Sequence, residues 1–527
     1  MSAAPDVPAE GAAVVRMTGM RKTFGDIVAL DGVDFDLAPR EVHGLLGGNG
    51  AGKTTLMNVL YGLYRADAGQ IAVHGRPVRI ASPRDALRLG VGMVHQHFLQ
   101  VPPYTVVENV VLGSPLPRRP VLDLRLAQQD IGELSERFGL QVDLTARVED
   151  LPIGARQRVE ILKALYRDVG TLILDEPTSN LTPQEVDSLF GSLQTMVAEG
   201  MSIVFITHKI REALAVCDRM SVLRDGRNAA RLSRTEAGEH TLADAMVGGE
   251  PRSVGKAVSV LQDTKDTAPR AAAPEPGPAR IAVEDVSVTL DGGAIAVRGC
   301  SLRAAASEIV GVAGVAGNGQ GELAEVLAGV RAPDTGLVRV DGDDLTGAGP
   351  ARFLDAGVAY IPEDRSRDGV LPALSVAQNL ILGRHRSPTY RRGPLLDAAV
   401  VTDEARRTMA EFDIRAPGPD APAGALSGGN IQRLILARVF SRAPGVLVAH
   451  NPTRGLDITS TESLYRRILE CRNQRTATVL ISEDLDELMY LSDRIAVMYA
   501  GGIVDVLERD AFDRYAIGRL MSGVQAG

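Results

Sequence analysis

Short apolar runs alternate along the chain with longer stretches in which apolar residues recur at helical spacing. Thr171–Leu174 and Ser202–Ile206 are two such runs, and helical patterns flank both of them. Apolar runs of about four to eight residues between helical segments are typical of the buried strands of a parallel sheet. The pattern therefore predicts an α/β fold built on a mainly parallel sheet.

The second half of the chain repeats the order of elements found in the first. Early blocks of the two halves correspond at a distance of 267 positions and later blocks at 275, so one net insertion of 8 residues accounts for the difference. The corresponding blocks are 43–62 with 310–329, 90–98 with 357–365, 151–165 with 426–440, 172–182 with 446–457 and 206–210 with 481–485. A register kept over all these blocks predicts a duplicated domain.

This duplication defines two predicted domains, 14–250 and 280–523. The segment 251–279 between them is rich in Ala and Pro and has no sustained amphipathic period. Such a composition is typical of a flexible or semi-extended linker.

Composition narrows the class of protein. The 527 residues carry 57 basic and 66 acidic side chains, a net charge of −9, and no long basic run, so we expect no nucleic-acid partner. No apolar stretch is long enough to span a membrane, and the N-terminal residues do not resemble a secretory signal. Cys217, Cys300 and Cys471 are widely spaced, which is typical of reduced core thiols in a cytosolic protein.

A glycine-rich segment lies between the predicted strand Val42–Leu46 and a helical run at Thr55–Leu63. Its spacing, G-x4-G-K-T, matches the phosphate-binding loop, in which backbone N–H groups enclose a phosphate at a helix N-terminus. The lysine of that loop neutralises phosphate oxygens and the hydroxyl binds Mg²⁺. The alternative is a glycine-rich structural turn. The predicted ATP-binding residues are Gly47, Gly48, Asn49, Gly50, Ala51, Gly52, Lys53, Thr54 and Thr55.

Polar residues at the ends of three predicted strands complete a set for ATP hydrolysis. Asp175 and Glu176 follow one apolar strand, and they suit Mg²⁺ binding and polarisation of the attacking water, respectively. His208 follows the next strand, where it can contact the γ-phosphate or position Glu176. Gln96 follows a third, where it can bind Mg²⁺ and the water. Each has a structural alternative on its own, but the whole set in this order predicts a catalytic site.

These residues resemble those of tandem ATP-binding-cassette proteins over both halves of the chain. The resemblance implies two tandem P-loop NTPase domains, each with a mainly parallel sheet, flanking helices and a helical subdomain. It also implies that the halves pair head to tail within the chain as a pseudo-dimer, so that ATP bound by one half meets an LSGGQ-type signature from the other. Phe24 resembles the aromatic residue that stacks on adenine; a buried strand phenylalanine is the alternative.

The second half departs from the family pattern at nearly every position that would hold ATP. The replacements are Gln320 for Lys53, Gly321 for Thr54, His450 for Asp175, Asn451 for Glu176, Glu363 for Gln96, Glu483 for His208 and Asp291 for Phe24. The lysine, the Mg²⁺ ligands and the base are lost, and added carboxylates would repel a polyphosphate. We therefore expect no hydrolysis by the second half.

The signature is divided in the opposite way. The second half keeps an LSGGN sequence before a helix, in which the Ser427 hydroxyl, Gly428, Gly429, Asn430 and the helix N-terminus suit a γ-phosphate. The first half reads LPIGA there, and Pro152 has neither a hydroxyl nor an N–H. The turn after the acid pair is divided in the same way as the signature. The second half keeps Gly455-Leu456-Asp457 there, and the first half has Asn180-Leu181-Thr182.

Combining the halves head to tail predicts one complete composite site. It joins the phosphate loop and acids of the first half to the signature of the second, with ATP and Mg²⁺ as cofactors. The other combination is defective on both sides, and a dimer that joined like halves would have no complete site.

Within the family, the chain resembles ATPase subunits of bacterial importers of the simple-sugar and nucleoside group, and among these its nucleoside branch. The segments NGQGEL (318–323), YIPEDR (360–365) and NPTRGLD (451–457) carry this resemblance. It implies two integral-membrane permease subunits, an extracytoplasmic substrate-binding protein and a peripheral location at the cytoplasmic face of the cell membrane.

Two other classes of protein remain as alternatives. A soluble tandem ATPase acting on ribosomes resembles this chain in its duplication, but such proteins generally have two competent sites and a long charged helical linker. A nucleotide sensor without hydrolysis is disfavoured by the full catalytic set in the first half.

Overall fold

The structure is a computed structural model that describes residues 13–25, 27–48, 50–96, 98–114, 123–179, 181–247, 277–290, 292–454, 456 and 458–523. The chain divides into two units, Met1–Ser259 and Val260–Gly527. The division falls within the segment predicted as a linker, most of which (251–276) lies outside the described residues.

The first unit contains two sheets. Its strands are β1 (Val15–Phe24), β2 (Ile27–Leu37), β3 (Val42–Gly47), β4 (Ala68–Val73), β5 (Arg76–Val78), β6 (Val91–Val94), β7 (Thr171–Asp175), β8 (Ser202–Thr207), β9 (Arg219–Arg224) and β10 (Arg227–Ser233). A four-stranded antiparallel sheet has the order β2-β1-β4-β5, and a six-stranded sheet has the order β10-β9-β3-β8-β7-β6. The larger sheet is parallel except for its edge pair β9–β10.

Helices cover this sheet and add a separate helical group. They are α1 (Lys53–Tyr61), α2 (Pro83–Arg88), α3 (Val106–Val111), α4 (Leu124–Arg137), α5 (Ile153–Leu165), α6 (Pro183–Ala198), α7 (Ile210–Val216) and α8 (Glu239–Val247). Helices α3, α4 and α5 lie between β6 and β7 in the chain and contact one another, which gives the first unit the expected helical subdomain. Strands β3, β6, β7 and β8 are buried along their whole length, as a sheet covered on both faces requires.

The second unit repeats this architecture. Its strands are β11 (Ala279–Thr289), β12 (Ile295–Ala305), β13 (Ile309–Ala313), β14 (Thr335–Val340), β15 (Asp343–Asp344), β16 (Val358–Ile361), β17 (Arg391–Arg392), β18 (Leu395–Leu396), β19 (Val446–His450), β20 (Ala477–Ser482), β21 (Arg494–Tyr499) and β22 (Gly502–Glu508). Its helices are α9 (Gln320–Leu327), α10 (Pro350–Asp355), α11 (Val376–Leu380), α12 (Ala398–Glu411), α13 (Gly428–Phe440), α14 (Ile458–Asn473), α15 (Leu485–Leu491) and α16 (Arg514–Met521).

The strand orders of the two units correspond. The second unit has sheets β12-β11-β14-β15 and β16-β19-β20-β13-β21-β22, and its hairpin β17–β18 has no counterpart among the described residues of the first unit. Reading the larger sheets from β6 and from β16 gives the same sequence of equivalent strands. The predicted α/β fold and its duplication are therefore confirmed.

The boundaries of two predicted elements, one helix and one strand, are shifted in the structure. Helix α1 begins at Lys53 rather than Thr55, because Gly52 adopts a φ of 101° and ends the loop there. It ends at Tyr61, because Gly62 takes a φ of 81° and caps the helix through its N–H. The strand predicted at 92–95 is Val91–Val94, which leaves Gln96 beyond the strand end.

A buried asparagine fixes the loop that follows Gln96. Asn109 is 0% exposed, its Nδ2 donates to the carbonyl oxygens of Val101, Tyr104 and Thr105, and its Oδ1 accepts from Val101 N–H. In the second unit, Asn379 makes the same four bonds to the loop before α11. One buried side chain in each unit thus bonds to several backbone groups of the loop.

Replacing Asn109 with Ala should lower the free energy of unfolding of the first domain by about 3 kcal/mol, because it removes the four hydrogen bonds that this buried side chain makes to the loop. Urea unfolding measures this loss. Gln129→Ala is the control, since the Gln129 side chain makes one exposed hydrogen bond to Glu133 on α4. Equal stability of the two variants would contradict the role assigned to Asn109.

Candidate functional site

The phosphate loop is shaped by backbone conformations that favour glycine. Gly47, Gly50 and Gly52 have φ values of 152°, 78° and 101°. A side chain at Gly47 would overlap the carbonyl of Leu223, and one at Gly52 would lie 2.6 Å from the carbonyl of Ala29. The loop can therefore fold tightly between β3 and the N-terminus of α1.

Lys53 lies inside this loop. Its Nζ donates to the carbonyl oxygens of Gly47 and Gly48 at 2.8 and 3.0 Å, and the residue is 6% exposed. Burial lowers the pKa of Lys53, although the charges of Glu176 and Asp175 act in the opposite direction. The ammonium group is thus held within the loop and close to two carboxylates.

The two threonines after Lys53 are accessible, whereas the loop before it is partly buried. Ala51 is buried, and its N–H donates to the Gly48 carbonyl at 3.2 Å. Thr54 is exposed and Thr55 is half-buried in the first turn of α1. Asn49, also predicted to bind ATP, lies outside the described residues.

Glu176 occupies a left-handed backbone conformation with a φ of 48°, which costs a non-glycine residue about 1 kcal/mol or more. Its N–H donates to the Ile206 carbonyl at 3.0 Å. Its own carbonyl accepts from the N–H and the hydroxyl of Ser179 at 3.3 and 3.1 Å. Bonds on both sides of the residue thus hold the turn in this conformation.

Three predicted catalytic side chains meet at this turn. His208 Nδ1 lies 3.0 Å from Glu176 Oε1, and Gln96 Nε2 donates to Glu176 Oε2 at 3.1 Å. Strands β6, β7 and β8 are neighbours and parallel, so the residues after their carboxyl ends come together at one edge of the sheet. Asp175 is the last residue of β7 and is 4% exposed.

Electrostatics keeps Glu176 ionised. Burial works to raise its pKa, but the hydrogen bond and charge of His208 and the charges of Lys53 and Lys209 outweigh burial and hold the pKa below its usual value. An ionised carboxylate that is 15% exposed, beside an imidazole that is 44% exposed, can polarise a water molecule.

Phe24 lies at the end of β1 and is 41% exposed. Its ring meets the Tyr64 ring edge-on with centroids 5.1 Å apart, and Lys22 Nζ lies 5.2 Å from the Phe24 centroid. The alternative of a buried strand phenylalanine is therefore wrong, because the Phe24 side chain is partly exposed.

The corresponding positions of the second domain form a closed network. The Gln320 amide takes the place of the lysine and donates to the Val315 carbonyl at 3.0 Å. Glu363 accepts from Asn451 Nδ2 at 3.1 Å and pairs with Arg454. Asp291, the counterpart of Phe24, lies outside the described residues.

Further contacts hold this network at the end of β19. Asn451 Oδ1 accepts from the Glu483 N–H at 3.0 Å, and His450 Nε2 lies 3.7 Å from Glu363 Oε2. Burial lowers the pKa of His450, while the Glu363 charge acts to raise it. The negative charge of Glu363 is therefore balanced by neighbouring protein groups.

The two signature segments differ in accessibility. Ser427 precedes α13 and is exposed, and Asn430 Nδ2 donates to the Ser427 hydroxyl at 2.9 Å. Gly428 and Gly429 are exposed, and a Cβ atom at either would meet nothing within 4 Å. The start of α13 is thus open to a ligand.

In the first domain, the equivalent helix α5 begins after Pro152, and its Gly154 is covered. A side chain at Gly154 would overlap the Glu185 carboxylate of α6. The same carboxylate caps α6 through the N–H and hydroxyl of Thr182 at 2.9 and 3.0 Å. A negative group already lies where a phosphate would approach.

Sequence reasoning missed Glu185 and Arg454. The capping-box spacing of Thr182 and Glu185 was a detectable signal for a helix start, though not for the contact with Gly154. Nothing in the local sequence indicates that Arg454 pairs with Glu363. Asn180, Gly455 and Asp457, which the sequence also singled out, lie outside the described residues.

Comparison with known proteins decides the family. Residues 30–179 and 297–454 match the ABC transporter family. The chain belongs to this family. As a member, it is the ATP-hydrolysing subunit of an ABC importer, and ATP is its nucleotide.

Curated relatives match the chain over nearly its full length. It is 44% identical to the glucose import ATP-binding protein TsgD13 of Haloferax volcanii, over 97% of this chain and 96% of that protein. It is 40% identical to the nucleoside import ATP-binding protein NupA of Lactococcus lactis subsp. cremoris, over 97% and 98%. It is 39% identical to the guanosine import ATP-binding protein NupO of Bacillus subtilis, over 97% of both.

A solved structure matches the tandem fold. The archaeal ribosome recycling factor aABCE1, in complex with the ribosomal stalk protein aP1, covers 96% of this chain and 92% of its own with a TM-score of 0.60. The identity is 17%, so this likeness shows the fold alone. Within the described residues, no helix combines the length and the apolar character needed to cross a bilayer.

Replacing His208 with Ala should move the acid limb of the pH profile of kcat/KM to higher pH. Activity requires ionised Glu176, and without His208 the burial of Glu176 raises its pKa, so protonation begins at a higher pH as the solution is acidified. The charges of Lys53 and Lys209 remain, which limits the shift.

ATPase assays that extend below pH 4.5, the ordinary pKa of a glutamate, measure this shift, at roughly one pH unit. His240→Ala is the control, because His240 is exposed on α8. An unchanged acid limb in His208→Ala would contradict the coupling of His208 to Glu176.

Proposed function

We propose that the chain energises the uptake of a nucleoside or a simple sugar by hydrolysing ATP at one composite site. That site combines the phosphate loop, Asp175, Glu176, Gln96 and His208 of the first domain with the signature of the second. The observation that carries the proposal is that the first half keeps the phosphate loop and the acids, whereas the second half keeps the signature.

Each half supplies what the other lacks. The first has a loop with a buried lysine and an assembled Glu176–His208–Gln96 group, and its own signature glycine is covered by Glu185. The second has an uncovered signature at Ser427 and a loop position held by the Gln320 amide. A head-to-tail pairing within the chain uses both intact parts. Pairing of like halves would leave every site incomplete.

Mg²⁺ fits the donors of the first domain. Thr54 offers a hydroxyl, Gln96 an amide oxygen and Asp175 a carboxylate, all of them the oxygen ligands that Mg²⁺ prefers. A site with one carboxylate is typical of Mg²⁺ that is bound largely through nucleotide phosphates and water. When bound, Mg²⁺ would neutralise charge on the phosphates during transfer to water.

The proposed partners are two permease subunits and an extracytoplasmic substrate-binding protein. The proposed location is peripheral, at the cytoplasmic face of the membrane. The loops that follow Gln96 and Glu363 would contact the permeases. They expose apolar side chains, with Leu99 60%, Tyr104 43% and Leu371 49% exposed. Asn109 and Asn379 hold the backbone of these loops, so a displacement at Gln96 would reach their exposed side chains.

Action on ribosomes is the weaker alternative. The likeness to the ribosome recycling factor concerns the fold, and the chain carries a net charge of −9 without a long basic run. The Ala/Pro-rich segment 251–279 and the replaced residues of the second half also differ from a tandem ATPase with two competent sites. The importer relatives match at 39–44% identity.

Replacing Ser427 with Arg should lower the ATPase rate by about a hundredfold, because it removes a γ-phosphate donor and fills the signature. The matched control is Pro152→Arg at the equivalent exposed position of the first domain, which should retain at least half of the rate. Steady-state ATPase assays compare the two variants. Equal loss in both would contradict a single composite site.

Reconstitution with the two permeases and the binding protein in liposomes should give ATP-dependent uptake of labelled guanosine or uridine, or of glucose or ribose. The relatives named for nucleosides and for glucose motivate this choice of substrates. Glu176→Gln is the control that abolishes uptake and turnover while ATP binding remains, since its amide cannot act as a base. Absence of uptake for all four compounds would overturn the proposed substrate class.

A further inference from the structure

A buried glutamate joins the two segments that carry Glu176 and His208. Glu212 lies in the first turn of α7, and its side chain is 9% exposed. Its Oε2 accepts a hydrogen bond from the Thr178 hydroxyl at 2.6 Å and another from the Thr207 hydroxyl at 3.3 Å. One carboxylate oxygen therefore bridges two different loops.

Both threonines are next to catalytic positions. Thr178 is two residues after Glu176, and Thr207 directly precedes His208. The Thr207 hydroxyl also accepts from the Lys209 N–H at 3.0 Å, and Lys209 Nζ lies 3.3 Å from Glu212 Oε1. The backbone on each side of the Glu176–His208 contact is thus connected to the same side chain.

The turn at Glu176 needs such support. Its left-handed backbone is disfavoured for a side chain of this kind, so surrounding contacts must hold it. Direct bonds reach the turn from Ile206 and from Ser179. The hydrogen bond from the Thr178 hydroxyl to Glu212 connects this turn to the first turn of α7.

We propose that Glu212 is a positioning residue for ATP hydrolysis, which holds the general base Glu176 and its partner His208 at hydrogen-bond distance. This inference rests on the catalytic role proposed for Glu176. Glu212 acts through Thr178 and Thr207 and not by contact with the nucleotide.

The second domain contains the same bridge without the catalytic pair. Glu487 is 1% exposed, and its Oε2 accepts from the Ser482 hydroxyl at 2.5 Å and the Thr453 hydroxyl at 3.3 Å. The turn that it supports carries Asn451, also left-handed with a φ of 44°, where the first domain has its base. A purely structural role would be equally important at both positions, whereas a positioning role matters at Glu212 alone.

The surroundings of the two glutamates also differ. Lys209, which pairs with Glu212, is replaced by Asp484 in the second domain. Burial, together with the Asp484 charge, raises the pKa of Glu487 to about 8, against the effect of its hydroxyl donors. The first domain thus supplies a cation to its bridging carboxylate, and the second does not.

The experiment compares Glu212→Ala with Glu487→Ala in the full chain. Glu212→Ala should lower kcat for ATP hydrolysis about thirtyfold with KM for ATP changed less than threefold. Glu487→Ala should keep kcat within twofold of the unmodified protein, even if both variants lose thermal stability. A smaller folded fraction would also lower the apparent kcat at constant KM, so kcat is expressed per ATP-binding site titrated for each variant. A loss of kcat that disappears after this normalisation would overturn the proposal.

A set of three threonine variants covers the case in which Glu212→Ala does not fold. Thr178→Val should lower kcat about tenfold, Thr178→Ser should restore it because the hydroxyl returns, and Thr453→Val should leave it within twofold. Equal effects of Thr178→Val and Thr453→Val, or no effect of either, would overturn the proposal. Turnover retained in Glu176→Gln would instead refute the catalytic role of Glu176, which is a distinguishable failure.

Discussion

The hydrogen bonds that Glu176 accepts from Gln96 and His208 are the interaction on which the catalytic site depends. They join residues that are 80 and 32 positions away from Glu176 in the chain, and they form because three parallel strands end side by side. A parallel sheet places all carboxyl ends of its strands at one edge, so polar residues that directly follow neighbouring strands lie close together. The left-handed turn at Glu176 then sets the direction of the base.

The second domain keeps this architecture but has other residues at the positions of the predicted catalytic set. Its buried strands, its strand order and its buried asparagine match those of the first domain, because packing depends on apolar side chains and on satisfied backbone groups rather than on the acids. At the former site, Glu363, Asn451 and Arg454 satisfy one another. The side chains at these positions bond to one another.

Much of the fold and the site could be predicted from sequence because the signals are local. The buried strands are apolar runs, and the phosphate loop is a fixed spacing of glycines beside a lysine. Contacts between distant residues were not predictable in this way: Glu185 against Gly154 and Glu212 between Thr178 and Thr207 depend on how helices pack on the sheet. The start of α1 was misplaced by two residues, because the conformation of Gly52, rather than helix propensity, decides it.

The amide of Gln320 has a consequence for which substitutions the second domain can accept during evolution. A lysine buried in that loop is tolerable in the first domain because Asp175 and Glu176 lie near it. In the second domain, a lone lysine would be a buried cation without those acids, and a lone acid would add charge beside Glu363. Neither residue alone would find the partner that it has in the first domain, so a return to that set of residues would require several substitutions together.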